Sequence, residues 1–303
     1  MTETLKNGDP DAFSGFHPAI LFIYFLGVLF FGMFSMHPVI LLVTFVSEFI
    51  YSVMLNGKKA LKFNVLNMLP ITFAVALINP LINHEGVTIL LYINDNPVTL
   101  ESILCGMIYA LAFITVIISF SCFNKIMTSD KLMYLFGRLV PTLSLMFSMT
   151  LRFVPRYKAQ IKKITDAQKC IGMDPSHGNI IRRVKNGVRI ISVLITWALE
   201  NAIETSDSMK ARGFGLKGRT SFSIFHWKKR DKLMLAAELI LIGIPAAGLA
   251  SGRFESIYFP AVCISGLDLK TVFFYFAYAV FCLLPATEDI KEFIIWNRLK
   301  SAD

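Results

Sequence analysis

The sequence predicts an all-α, polytopic membrane protein: a helical bundle of about six spans with a cytoplasmic pair of long, crossed helices. Three observations point there. Hydrophobic residues make up 55% of the 303 residues and charged ones only 17%, where a soluble domain carries about a quarter charged. The apolar residues gather in runs long enough to be read as spans. The charge is segregated: 18 of the 30 Lys and Arg fall between Arg152 and Lys232, against six acids there, and the remainder is net acidic. Such asymmetry fits nucleic acid, anionic lipid or the cytoplasmic face of a membrane protein, and beside apolar runs the last is the default.

Taken in order, the runs place spans near 19–34, 39–55, 66–82, 103–123, 233–249 and 272–284. Only Ser35-Met36-His37-Pro38 separates the first two, which predicts a tight helical hairpin. The loop with Lys58, Lys59 and Lys62 reads as cytoplasmic, because basic loops stay inside. The loop at 83–101 has no Lys or Arg and carries Glu85, Asp95 and Glu101, so it reads as outside. The basic block and the tail with Lys291, Arg298 and Lys300 then fall inside, and both termini are expected to be cytoplasmic. No secretory signal pattern opens the chain. The expected divisions are an N-terminal transmembrane bundle at 1–138, a cytoplasmic module at 139–230, and a C-terminal transmembrane pair with its tail at 231–303.

Residues 140–154 resist this scheme. The stretch is apolar but short, holds Pro141 and Arg152, and precedes Pro155. It admits a broken helix, an interfacial one, or one packed inside the protein. Beyond it two cytoplasmic helices are expected. The first runs from about Arg156 to Ile171 and stops at Gly172-Met173-Asp174-Pro175. The second runs from near Asn179 to Arg212, roughly 50 Å at 1.5 Å per residue, and stops at Gly213 and Gly215. Its stripe of Ile180, Val184, Val188, Ile191, Ile195 and Leu199 recurs every three or four residues, with Arg182, Arg183, Lys185 and Arg189 off the stripe. Both packing on the neighbouring helix and docking of a partner suit such a face. At its end, Ala211 and Gly213 flank Arg212 and leave one guanidinium with little bulk around it. Such a group can plug into a groove of another protein, or snorkel to lipid phosphates beside a glycine turn.

Motifs for chemistry are weighed against their contexts. Gly213-Phe214-Gly215-Leu216-Lys217-Gly218 has the dinucleotide spacing, and 213–220 is near a phosphate loop, but both need a strand before the glycines and a helix after. A helix precedes them here, so nucleotide binding is not expected. His17, His37, His84, His177 and His226 show no ligand spacing, so no metal site is expected. Cys105, Cys122, Cys170, Cys263 and Cys282 have neither metal nor redox spacing and read as small packing residues. Gly248-Leu249-Ala250-Ser251-Gly252 has helix-dimer spacing but lies beside Arg253 at a span's end, where a turn fits better.

An ordered set of residues carries a family resemblance. It comprises Leu151-Arg152-Phe153-Val154-Pro155, Ala167-Gln168-Lys169, Gly172 with Asp174, Arg182-Arg183, Glu200-Asn201-Ala202 and Ala211-Arg212-Gly213-Phe214-Gly215, with Met127-Thr128-Ser129-Asp130 and Leu139-Val140-Pro141 upstream. Over roughly 120–215 the chain resembles the transmembrane T component of energy-coupling factor (ECF) transporters, the EcfT/CbiQ family. The resemblance implies a non-catalytic subunit that joins two cytoplasmic ABC-type ATPases to a substrate-binding S component, for vitamin or metal-ion uptake. It implies two crossed coupling helices, each ending in an Ala-Arg-Gly-like motif whose Arg enters a groove of one ATPase. Arg212, between Ala211 and Gly213, takes the second role. At the first, Cys170-Ile171-Gly172 stand where Ala-Arg-Gly belongs, with Lys169 the nearest cation. Either an apolar contact by Ile171 suffices, or Lys169 reaches over, or the two ATPases differ. ATP is expected on the partners, with no cofactor, metal or nucleic acid on this chain.

A different class of function is a stand-alone permease or channel, which needs ionisable residues deep in its spans. Glu48 is its best candidate, followed by Glu238, Asn67 and Asn79. A membrane enzyme lacks any paired carboxylates, nucleophile motif or His-Glu-x-x-His to stand on.

Overall fold

The structure is a computed structural model that describes residues 12–57, 62, 66, 68–93, 96–137, 140–174, 179–216, 225–260, 262–264 and 268–300. Lys58, Lys59, Asn67, Asp95, Leu139, Pro175, His177 and residues 217–223 lie outside the described residues. Nine α-helices run through what is described: α1 (Pro18–Phe34), α2 (Pro38–Asn56), α3 (Met68–Ile82), α4 (Leu100–Ile126), α5 (Ser129–Gly137), α6 (Pro141–Cys170), α7 (Ile180–Ala211), α8 (Lys229–Ala250) and α9 (Leu269–Lys300). Two short antiparallel hairpins complete it, β1 (Ile89–Ile93) with β2 (Asn96–Thr99) and β3 (Ser256–Ile257) with β4 (Cys263–Ile264). The chain is therefore a helical, multi-pass membrane protein.

All six apolar runs are helical. Four helices, α2, α4, α8 and α9, are long and apolar enough to cross a membrane. The two shorter ones have 17 residues in α1 and 15 in α3, about 25 and 22 Å at 1.5 Å per residue against a hydrocarbon core of about 30 Å. The expected sixth span at 272–284 is part of a longer element, since α9 continues through Pro285 to Lys300. An interior proline removes one backbone hydrogen bond and bends a helix but need not end it.

The chain divides into two compact units, Met1–Leu132 with Phe225–Asp303, and Met133–Ile224. In the first, α1 packs against α2, α4 and α8, and α9 packs against α2 and α8. The core is aromatic: Phe13, Tyr24, Phe25, Phe31, Tyr278 and Phe281 are all buried, with Ile20, Ile40 and Ile118 between them. Edge-to-face pairs such as Phe13 with Tyr24, at 5.3 Å between ring centres, stabilise such a core beyond simple area burial. Several polar groups within the apolar helices find partners across them. The Tyr24 hydroxyl lies 2.9 Å from the Cys282 carbonyl and 3.2 Å from Glu48 Oε1, and Thr44 Oγ1 lies 2.8 Å from the Tyr278 hydroxyl.

The second unit is dominated by α6 and α7. The first cytoplasmic helix was expected to begin near Arg156; it begins at Pro141 and runs unbroken for 30 residues. Pro141 sits at the first helical position, where its missing N–H leaves nothing unsatisfied. Pro155 deletes only its own bond to the residue four before it. The segment at 140–154 is thus the N-terminal half of α6.

Candidate functional site

The two long helices end in the same way. α7 closes with Arg212 at its C-cap and Gly213 at φ +76°. The Gly213 N–H donates to the Lys210 carbonyl at 2.9 Å and the Phe214 N–H to the Met209 carbonyl at 3.0 Å. This pair of bonds is a Schellman motif, which satisfies carbonyls that the helix end leaves without partners. α6 closes with Ile171 at its C-cap and Gly172 at φ +75°. There the Gly172 N–H donates to Lys169 at 3.0 Å and the Met173 N–H to Gln168 at 2.9 Å. Both glycines supply the left-handed conformation that a side chain would strain.

The matching caps set Cys170 against Ala211, Ile171 against Arg212 and Gly172 against Gly213. Lys169 and Lys210 also correspond, each a cation in a last turn where the helix dipole favours it. Ile171 is 62% exposed, and Cys170, Ala211 and Arg212 are exposed as well. One tip therefore offers an apolar side chain and the other a guanidinium, each flanked by a small residue and a glycine.

The tips do not meet. Asn186 Nδ2 donates to the Asp174 carbonyl at 3.2 Å, and Arg189 contacts the Met173 sulfur. Further along, Tyr157 packs edge-on against Trp197 at 5.7 Å, with Arg156 stacked 5.4 Å from the Trp197 ring centre. Positions fall on α7 as they rise on α6, so the helices run antiparallel, with Ile164 and Ile190 buried. Arg212 lies 26 residues beyond Asn186, about 40 Å along the axis. The predicted site residues accordingly form two separate groups, Lys169 to Gly172 at one end of the pair and Ala211 to Gly213 at the other.

At the Arg212 end the helices leave a cleft of about 470 Å³. Arg152, Arg156, Glu204 and Arg212 line it, over Met149, Phe153 and Met209. None of Arg152, Arg156 and Glu204 stands among the site residues that the sequence predicts. Arg152 and Arg156 stand four residues apart and so share a helix face, but what they face depends on the pairing of α6 with α7.

The intramembrane carboxylates are placed differently. Glu48 is buried, with Oε1 near the Tyr24 hydroxyl. Glu238 is buried on α8 with neither oxygen within hydrogen-bond distance of a described partner. Asn79 is a helix fastener: its Nδ2 donates to the Ser102 carbonyl at 2.8 Å. Cys105, Cys122 and Cys282 are buried, matching their reading as packing residues, whereas Cys170 is not. The three-glycine stretch follows α7, and its last two residues lie outside those described.

Comparison with known proteins places these features in a family. Residues 17–224 match the model of CbiQ, described as a cobalt transport protein. The energy-coupling factor transporter transmembrane protein EcfT of Lactobacillus helveticus is 37% identical over 106 residues, 35% of this chain and 38% of that protein. EcfT 1 of Listeria monocytogenes is 33% identical over 165 residues, 50% of this chain and 62% of its own length. EcfT of Lactococcus lactis is 33% identical over 103 residues, 34% and 39% of the two chains. The alignments thus span between 38% and 62% of these relatives. With the family match running from the start of α1 past both helix tips, this chain belongs to the EcfT/CbiQ family of membrane transport proteins.

Proposed function

We propose that the chain is the transmembrane coupling subunit of an ECF-type ABC importer. It transmits movement from two cytoplasmic ABC-type ATPases to a membrane S component that binds the vitamin or metal ion. The observation that carries this reading is the equivalence of the two helix caps, which present Ile171 and Arg212 at opposite ends of one antiparallel pair. A rigid pair with two tips suits a part that touches two subunits and moves as they close. The Arg212 guanidinium, with five N–H donors in a planar fork, suits a groove bearing a carboxylate or backbone carbonyls. Ile171 suits an apolar groove. ATP is bound by the partners, and the chain supplies no catalytic group.

The test is capture of the ATPases. Wild type, Arg212→Ala and Ile171→Arg are co-purified in detergent with candidate ABC ATPases. Removing one member of a buried charge pair costs about 3–5 kcal/mol, so Arg212→Ala is expected to weaken the complex by about a hundredfold or more. Its unchanged elution as a single species is the control for folding. Ile171→Arg is expected to weaken capture as well, because it buries a guanidinium in an apolar groove. Full capture by Arg212→Ala, or ATP hydrolysis by the purified chain alone, would sink the proposal.

A further inference from the structure

We propose that the cleft between α6 and α7 is a binding site for the phosphate of an anionic phospholipid, held by Arg152 and Arg156. Three guanidiniums and one carboxylate line the cleft, so its charge favours an anion. Arg binds phosphate oxygens through two parallel N–H groups, and two forks on adjacent turns can grip one tetrahedral group. Met149, Phe153 and Met209 give the lining an apolar part, and Asn201, Thr205 and Ser208 of α7 a neutral polar one. A ligand with a charged end and an apolar body fits both the cationic and the apolar part, and a bare carboxylate fits only one.

The surroundings select a lipid. α6 carries no charged residue from Pro141 to Leu151, and then Arg152, Arg156, Lys158, Lys162 and Lys163 follow. Just before the cleft, Leu145, Met146, Phe147 and Leu151 are exposed and offer an apolar surface to acyl chains. Beside it stand Tyr157 and Trp197, residue types that gather at the boundary of membrane and water. On α6 an uncharged N-terminal half gives way to Arg152, Phe153, Arg156, Tyr157 and Lys158, and such a mix of cations and aromatics after an apolar stretch is the composition of a helix that crosses the headgroup level. On the α7 side, the Asn201 Nδ2 and Thr205 hydroxyl donate back into their own helix, at 2.9 and 2.6 Å, which leaves the arginines as the cationic donors of the cleft with the Ser208 hydroxyl beside them. This site does not depend on the coupling role of Arg212, which lies at its rim.

Binding is measured on the full-length protein alone, delipidated in detergent, by native mass spectrometry. The probes are phosphatidylglycerol and phosphatidylcholine with identical acyl chains. The wild type is expected to prefer phosphatidylglycerol by about tenfold or more, at roughly one favourable interaction per Arg near a headgroup. Arg152→Gln with Arg156→Gln is expected to abolish the preference. Glu204→Gln, which removes the one carboxylate, is expected to raise it several-fold, and this gain cannot come from misfolding. The lysine pair Arg152→Lys with Arg156→Lys keeps charge but loses the forks, and should retain only part of the preference. No preference in the wild type overturns the proposal, as does a preference untouched by both the Gln pair and Glu204→Gln. So does a Gln pair that keeps its lipid preference but loses the ATPases, which assigns the cleft to a protein carboxylate. Because no ATPase enters the lipid measurement, its failure leaves the coupling proposal standing.

Discussion

A histidine before a proline opens each of the first two helices. His17 Nδ1 accepts the Ala19 N–H and His37 Nδ1 the Val39 N–H, both at 3.3 Å. Each imidazole thus caps a helix whose first residue, Pro18 or Pro38, has no N–H to satisfy. Reading the histidines for metal spacing overlooked this use, since Ser, Thr, Asp and Asn are the usual caps. His37 carries a consequence for pH. Its Nδ1 accepts a bond, so the neutral ring's proton sits on Nε2, which meets the Tyr275 hydroxyl at 3.0 Å. A second proton must go to Nδ1 and break the cap, and burial also lowers the pKa below its ordinary value of 6.5. The unfolded chain then binds this proton at a higher pH than the folded one. Stability from His37 is complete above about pH 6.5 and is lost as pH falls below it. The melting temperature in detergent is expected to drop between about pH 7 and pH 5, and to drop less in His37→Asn, whose amide caps at either pH. An equal drop in both proteins would place the acid sensitivity elsewhere.

At the scale of elements, the apolar runs located the spans, but proline misled the reading of α6. Pro141 and Pro155 look like boundaries in sequence. One is harmless at the first turn, and the other sits inside a helix long enough to tolerate it. The pairing of α6 with α7 was illegible for another reason. Contacts such as Tyr157 with Trp197 join residues 40 apart in sequence, and no local period encodes a register between helices. The two caps were the opposite case: Gly172 and Gly213 announced both stops, and Ile171 was set opposite Arg212 by the resemblance. Another close contact is silent in sequence. A Cβ on Gly106 of α4 would stand 2.6 Å from the Ala76 carbonyl oxygen and 3.1 Å from Asn79 Cβ, both on α3. Backbone cannot swing aside as a flexible side chain can, so the helices must part. Parting them strains the bonds from Asn79 to Ser102 and from the Ser102 hydroxyl to the Asn83 carbonyl, at 2.8 and 2.7 Å. Gly106→Ala is therefore expected to cost about 1–3 kcal/mol, read as a lower melting temperature in detergent. Gly32→Ala on α1, where an added Cβ meets nothing within 4 Å, is expected to be neutral or mildly stabilising.

For the whole molecule, charge predicts the direction of insertion. The loop joining α3 to α4 contains the β1–β2 hairpin and carries no Lys or Arg, while Lys291, Arg298 and Lys300 crowd the end of α9. Basic segments are retained on the cytoplasmic side, and the bias acts through residues near the ends of spans. If α1 to α4 and α8 to α9 all cross, the parity of six crossings puts both termini on one side, and the basic end of α9 predicts that this side is the cytoplasm. The two shorter helices decide the matter: should α1 or α3 fail to cross, the parity changes and the hairpin or a terminus moves to the other face. Single cysteines in a background cleared of the five native ones report the faces of the hairpin and of the tail, and so the parity of α4, α8 and α9 between them. With a membrane-impermeant maleimide on intact cells, Glu85→Cys is expected to label and Lys300→Cys to label only after the membrane is opened. Labelling of both before opening means an odd number of crossings between the hairpin and the tail has become even. It would also put the α9 end, and with it the positive-inside assignment, on the wrong face. Protection of both would likewise require an even number of crossings among α4, α8 and α9, with the hairpin inside, whereas an α3 that fails to cross leaves the hairpin and the tail on opposite faces.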